Sequence, residues 1–291
     1  MTNGFSDTVG LDYIAALGVT HIHLLPVFDF QTVDENDPEA GFNWGYDPLN
    51  YNIPEGSYTT DPNNGTARVR QFKDLIHAAH RKGIGVIMDV VYNHTYSTAD
   101  SPFTKTFPEY YYRHKKDGSL SDGSACGNEF ASERTMASRF IVDSLCYLAE
   151  EYKLDGFRFD LMGLLDIRTL NTAAEKLRRI NPSIILYGEG WTGGASPLPE
   201  RLRAMKKNAV MLPKFAMFSD DFRDVVKGSV FADEDCGYVN GNAAELSELM
   251  KSVISGGVYR EDVQRAQSDC WTDTPQQAVN YVEALHCKGD N

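Results

Sequence analysis

The sequence predicts an α/β fold, specifically an incomplete (β/α)8 TIM-type barrel with about strands 2 to 7 present. Three observations carry this reading. Short apolar runs alternate with amphipathic helical segments along the chain, the pattern of a parallel sheet. The run Gly85–Val91 is apolar except for Asp89, as suits a strand buried on both faces. Asp160 and Glu189, 29 residues apart, each close a short apolar run. That spacing is one strand–helix unit, and it brings both carboxylates to the C-terminal rim of a barrel.

In chain order, His21–Phe28 is expected as the first strand. Val69, Phe72, Leu75, Ile76 and Ala79 recur at helical spacing, and Gly83 follows as a stop. After the Gly85–Val91 strand, residues 92–132 are rich in Tyr, Ser, Asp and Gly. Such a stretch is too long for a connector and is expected as an active-site loop insertion. Ser138–Tyr152 predicts a helix, with Phe140, Ile141, Leu145 and Leu148 on one face. Strand Gly156–Leu161, helix Leu170–Ile180 ended by Asn181-Pro182, and strand Ile184–Tyr187 complete the central units. Arg201–Lys207 and Ala243–Ile254 are further helix candidates, and Ala278–Glu283 is a final strand. About six barrel strands can be placed, so residues 1–291 are read as one partial barrel with no second domain.

The charge balance narrows the partners. Lys and Arg number 28 against 41 Asp and Glu, a net charge of −13. A field of that sign disfavours nucleic acid and anionic membranes and admits neutral sugars. The five cysteines (Cys126, Cys146, Cys236, Cys270 and Cys287) show no metal-ligand spacing, and their odd number argues against a full disulfide framework. Cys146 is expected as a small buried hydrophobe. No basic, apolar leader opens the chain, and no run reaches the ~18 apolar residues of a membrane span. The chain as written is therefore expected to be cytoplasmic, or extracellular if its N-terminus is truncated. The sequence leaves the oligomeric state open.

Two carboxylates side by side at a cleft are the minimum equipment for cleaving a glycosidic bond. The surrounding residues carry a resemblance. Asp89-Val-Val-Tyr-Asn-His94, Gly156-Phe-Arg-Phe-Asp160 and Gly188-Glu-Gly-Trp191 resemble, in order, three signature regions of glycoside hydrolase family 13, the α-amylase superfamily. The segment Asn43–Tyr58 resembles the hallmark of its type I pullulanase subfamily. Leu25–Phe30, Gly123–Asn128 with Ala131–Glu133, and Trp271–Pro275 agree with that subfamily.

The resemblance implies a catalytic-domain fragment that hydrolyses α-1,6-glucosidic bonds in pullulan or branched dextrins by a retaining double displacement. Asp160 would be the nucleophile and Glu189 the general acid and base. Arg158, two residues before Asp160, points to the same side of a strand and would keep that carboxylate ionised. His94 would bond a hydroxyl of the glucose being cleaved, with Asn93 supporting it or, in some relatives, binding calcium. No cofactor is otherwise required. Asp89, inside its strand, would orient its neighbours. Tyr46 would be the stacking platform under the glucose, with Asp47 beside it as a hydroxyl acceptor. Trp191 could line the cleft or pack. His21 and His23 read as core or rim packing, with no acidic neighbour in the strand. Lys115–Gly118 reads as a solvated turn.

The pattern breaks at the end of the chain. In the family, a strand like Asn280–Ala284 runs into His-Asp-Asn, whose Asp is the third catalytic carboxylate. Here Leu-His-Cys-Lys-Gly-Asp-Asn follows Ala284. Asp290 and Asn291 could stand in only across a five-residue bulge, or His286 could be the displaced histidine, so the third carboxylate is expected to be absent or misplaced. The alternatives are a truncated remnant that at most binds α-glucan weakly, another member of isoamylase or α-amylase type, and a structural or partner-binding protein.

Overall fold

Runs of β-branched and aromatic residues pair side by side into one six-stranded parallel sheet. The computed structural model describes residues 9–37, 39, 41–232, 234–261 and 270–283. The strands are β1 (His21–Leu24), β4 (Gly85–Val90), β5 (Gly156–Phe159), β6 (Ile185–Gly188), β7 (Ala216–Ser219) and β8 (Ala278–Asn280), neighbours in that order. β2 (Phe28–Phe30) and β3 (Pro48–Pro54) form a separate antiparallel pair. Helices fill the crossovers: α2 (Gly65–Arg81), α4 (Thr135–Tyr152), α5 (Ile167–Ile180), α6 (Asp220–Lys227) and α7 (Ala243–Ile254). Short helices α1 (Leu11–Ala16) and α3 (Pro102–Thr106) complete the elements. None of the described helices is long and apolar enough to cross a membrane.

The sheet is curled. β1 and β6 are separated by β4 and β5, and a flat sheet would hold them about 14 Å apart at ordinary strand spacing. Yet the rings of His23 on β1 and Tyr187 on β6 meet edge to face with centroids 5.9 Å apart. An open, curled parallel sheet flanked by helices is an incomplete (β/α) barrel of the predicted class.

Burial explains why the helices sit where they do. Ile141, Leu145 and Leu148 of α4 pack with Leu170, Ala174 and Leu177 of α5 against the buried strand residues Met88, Phe157 and Leu186. Asp166 caps α5 by accepting from the Thr169 N–H at 3.1 Å. Gly83 ends α2 in a left-handed conformation (φ 72°), as the sequence expected. Cys146 is only partly buried, packed against this core from α4, and the described cysteines are free thiols.

Several expectations need correction. The strand expected over His21–Phe28 stops at Leu24, because Pro26 has no N–H for the ladder and the chain turns into the β2–β3 pair. Arg201–Lys207 is not a helix. Two 3₁₀ turns, Glu200–Leu202 and Lys206–Met211, flank an extended Arg203. The Arg203 guanidinium donates to the carbonyls of Leu198 (2.6 Å) and Ser196 (2.9 Å), and its backbone bridges to Asp166, which together hold it out of a helix. β8 ends at Asn280 rather than Glu283. β7 and α6 are elements the reading had not named. Within residues 92–132 lie α3 and two isolated bridges, Tyr112 with Phe130 and His114 with Leu120.

Candidate active site

Register places the central carboxylates. Asp89 on β4 pairs with Arg158 on β5, and Arg158 with Tyr187 on β6. Parallel partners point the same way, so Asp89 and Arg158, with Asp160 and Glu189 two residues beyond Arg158 and Tyr187, share the concave face. Arg158 is their hub. Its Nη1 donates to both oxygens of Asp89 (3.0 and 2.9 Å) and to Asp160 Oδ1 (3.0 Å), and its Nη2 donates to Glu189 Oε1. All four side chains are buried.

The turn after β5 completes the arrangement. Leu161 lies in the left-handed region (φ 39°, ψ 49°), which L side chains rarely adopt, and its N–H donates to Glu189 Oε2 at 2.9 Å. Gly163 then passes so close to the next rim loop that a Cβ would sit 2.3 Å from the Trp191 carbonyl oxygen. Its N–H donates to the carbonyls of Glu189 (3.0 Å) and Trp191 (3.1 Å), tying the two carboxylate-bearing loops together.

Burial pushes the Glu189 carboxyl up to about 7. The Asp160 charge adds to this, while Arg158 and the Leu161 N–H oppose it. Burial raises Asp160 too, helped by the Asp89 charge and opposed by Arg158 and the Asn93 amide. Two such carboxylates titrate as a pair. The proton of the pair belongs with Glu189, whose carboxyl burial pushes up to about 7.

Asn93 donates to the carbonyl (2.9 Å) and to Oδ2 (2.8 Å) of Asp160, which fixes its own Oδ1 toward His94 Nδ1 at 2.6 Å. His94 Nε2 faces the Tyr46 carbonyl oxygen at 2.8 Å. Both ring nitrogens thus meet acceptors, which only the imidazolium satisfies, while burial pulls His94 the other way, below its ordinary value. The burial effect is the larger, so the neutral ring gives up one of the two contacts. Calcium needs six or more oxygens. Asn93 turns its oxygen to His94 and its amide to Asp160, so its surroundings do not fit that ion. The described carboxylates Asp29, Glu35 and Glu55 lie within ligand reach of one another, but Arg68 sits 3.5 Å from Asp29 and pairs with Glu35.

The Tyr46 hydroxyl donates to Asp89 Oδ2 at 2.7 Å, and the Arg158 guanidinium lies 5.9 Å from its ring centre. Asp47 accepts from the Thr32 N–H (3.1 Å), the Thr32 hydroxyl (2.7 Å) and Asn43 (2.8 Å), so its oxygens brace their own turn. A cavity of about 520 Å³ lies over this floor, lined by Tyr46, His94, Asp160, Glu189 and Trp191. Trp191, left open by the sequence, is one of its walls.

Cys126, Leu161, Asp220, Arg223, Val230 and Phe231 also line the cavity. Sequence reasoning did not single these out as site residues. Asp220 was within reach. It starts α6 behind the cap Ser219, at the end of the short apolar run Ala216–Phe218. Nothing local marks Phe231. The candidate third carboxylate, Asp290, and His286 lie outside the described residues. His23 is a correction. It has an acidic neighbour after all, with Nε2 3.5 Å from Asp89 Oδ2 on the paired strand β4, two residues past its register partner Ile87.

Known proteins share this arrangement of chain. The family described as "Alpha amylase, catalytic domain" matches residues 3–133. A pullulanase of Bacillus subtilis (strain 168) is 43% identical over 282 residues, covering 97% of this chain and 38% of its own length. The crystal structure of a pullulanase from Anoxybacillus sp. LM18-11 complexed with maltotetraose superposes with a TM-score of 0.88 at 44% identity, over 95% of this chain and 38% of that one. The type I pullulanase from Bacillus subtilis str. 168, complexed with maltose, gives 0.87 at 43% identity, over 94% and 38%. The chain thus spans about two-fifths of the length of these relatives. With the ordered motifs and the curled sheet, these likenesses mean that the chain belongs to the α-amylase family, on its type I pullulanase branch.

Proposed function

We propose that this chain carries the nucleophile and the general acid of a retaining glycosidase that hydrolyses α-1,6 links in pullulan and branched dextrins. One observation carries the proposal: a single buried guanidinium, Arg158, holds Asp160 and Glu189 together on the floor of the cavity. Asp160, kept ionised by Arg158 and Asn93, attacks the anomeric carbon. The carbon–oxygen bond to the leaving sugar breaks, and its electron pair goes to the leaving oxygen, which takes the proton of Glu189. Glu189, now ionised, removes a proton from water as that water opens the glycosyl–Asp160 ester. Tyr46 offers an aromatic face for the sugar's C–H face, and Trp191 forms a second wall. No step needs a metal. The α-glucan class is supported by the relatives, which were solved with maltotetraose and maltose.

A second reading, α-glucan binding without turnover, has one observation in its favour. The further described carboxylate at the cavity, Asp220, is paired with Lys206. Incubation with pullulan separates the two. Release of maltotriose, absent in Asp160→Asn, supports the debranching reading. Saturable binding of a branched dextrin with no product supports the second.

A further inference from the structure

His23 stands outside every role given above, yet its contacts reach the centre of the site. The ring projects from β1 into the curl of the sheet, with its edge against Tyr187 and its Nε2 3.5 Å from Asp89 Oδ2. That oxygen already accepts from the Tyr46 hydroxyl and from Arg158. At 3.5 Å a neutral ring makes no useful hydrogen bond, whereas the attraction between an imidazolium and a carboxylate persists. Even with Glu189 protonated, Asp89 and Asp160 share one guanidinium, so a second positive charge beside Asp89 balances the buried cluster. Asp89 is fully buried, so nothing from solvent can supply it.

Solvent does reach His23. Its side chain is 33% exposed, and a cavity of about 470 Å³ opens beside it. The titratable groups facing the ring are Asp89 from β4 and Tyr187 from β6, with Glu55, Tyr58 and Arg68 around that cavity.

We propose that His23 is a positioning residue of this site, its ring, when protonated, holding the Asp89 carboxylate in place so that Arg158 stays seated between Asp160 and Glu189. The role in turnover rests on the debranching reading; the contact with Asp89 does not. His23 touches no substrate and acts through Asp89 and Arg158.

Two measurements test it. The first compares pullulan hydrolysis by the unaltered chain, His23→Gln and His23→Leu across pH. Both variants should lose kcat by about fivefold or more with KM within twofold, since a misplaced guanidinium disturbs geometry rather than sugar contact. Both limbs of the pH profile should move to higher pH, because losing a nearby positive charge makes each carboxylate harder to ionise. Variants with kcat within twofold and unmoved limbs would overturn the proposal.

The second measurement needs no turnover. The unaltered chain, His23→Leu, Asp89→Asn and the double variant are unfolded by denaturant. The two single losses should fail to add in the double variant, by about fivefold or more in the unfolding constant. His21→Leu, which removes a ring that contacts Thr20, should add independently to Asp89→Asn. Additive losses for His23→Leu and Asp89→Asn overturn the assignment. If the unaltered chain leaves pullulan intact, the debranching reading fails, and the cycle still decides on His23.

Discussion

The Leu161 N–H reaches Glu189 Oε2 at 2.9 Å from a left-handed backbone conformation. That bond joins the residue after the proposed nucleophile to the proposed acid, so the two catalytic loops are not independent. It also favours the charged form of Glu189 and so opposes the larger effect of burial.

The raised Glu189 sets a pH dependence. A general acid must be protonated, so kcat/KM should fall as pH rises through about 7, the value to which burial pushes this group. Rates on pullulan between pH 5 and 9 would check this, and a profile flat from about 6 to 8.5 would count against the assignment.

The same group affects stability with a defined sign. Its folded pKa lies above the unfolded value, so the contribution is fully present below the unfolded pKa and is lost as pH rises through about 7. Glu189→Gln should therefore be more stable than the unaltered chain at pH 8, by up to about 3 kcal/mol, and should show a weaker pH slope between roughly 4.5 and 7. Denaturant midpoints at several pH values would show it.

Arg158→Met should leave three buried carboxylates without their counter-charge, at a cost of about 3–5 kcal/mol. Arg158→Lys should lose less stability but most of the activity, because a single ammonium cannot reproduce the fork that holds three carboxylates. Unfolding midpoints and initial rates together separate the two outcomes.

Gly163→Ala should destabilise by about 1–3 kcal/mol and reduce activity, because the added methyl would sit 2.3 Å from the Trp191 carbonyl oxygen and force the two loops apart. Equal stability and rate in that variant would mean that the loops can separate without consequence.

What was legible in the sequence followed from short-range pattern. Helices α2, α4 and α5 announce themselves by apolar spacing, and strands β4, β5 and β6 by buried runs ending in functional residues. Arg158 and Asp160 could be placed on one side of a strand from periodicity, and Asp160 and Glu189 at one rim from their spacing, while Asp89 joins them through the register of β4 on β5. β7, four residues like β5 and β6, was missed because no signature motif marks its end. The Arg203 turn was missed because its guanidinium bonds carbonyls that only the folded chain brings near. His23 was misread for the same kind of reason. Its partner Asp89 is distant in sequence, and the contact exists only once β1 pairs with β4. Phe231 lines the cavity from a loop with no local signature at all.

The most direct test of the central claim, that Asp160 is the nucleophile and Glu189 the acid, is to trap the intermediate. Glu189→Gln is mixed with α-maltotriosyl fluoride, whose leaving group needs no acid, and the intact protein is weighed by mass spectrometry. The account predicts a mass gain of one maltotriosyl unit, located on Asp160 by peptide mapping and absent in the Glu189→Gln, Asp160→Asn double variant. An adduct on any other residue, or fluoride release at the full rate from the double variant, would contradict it.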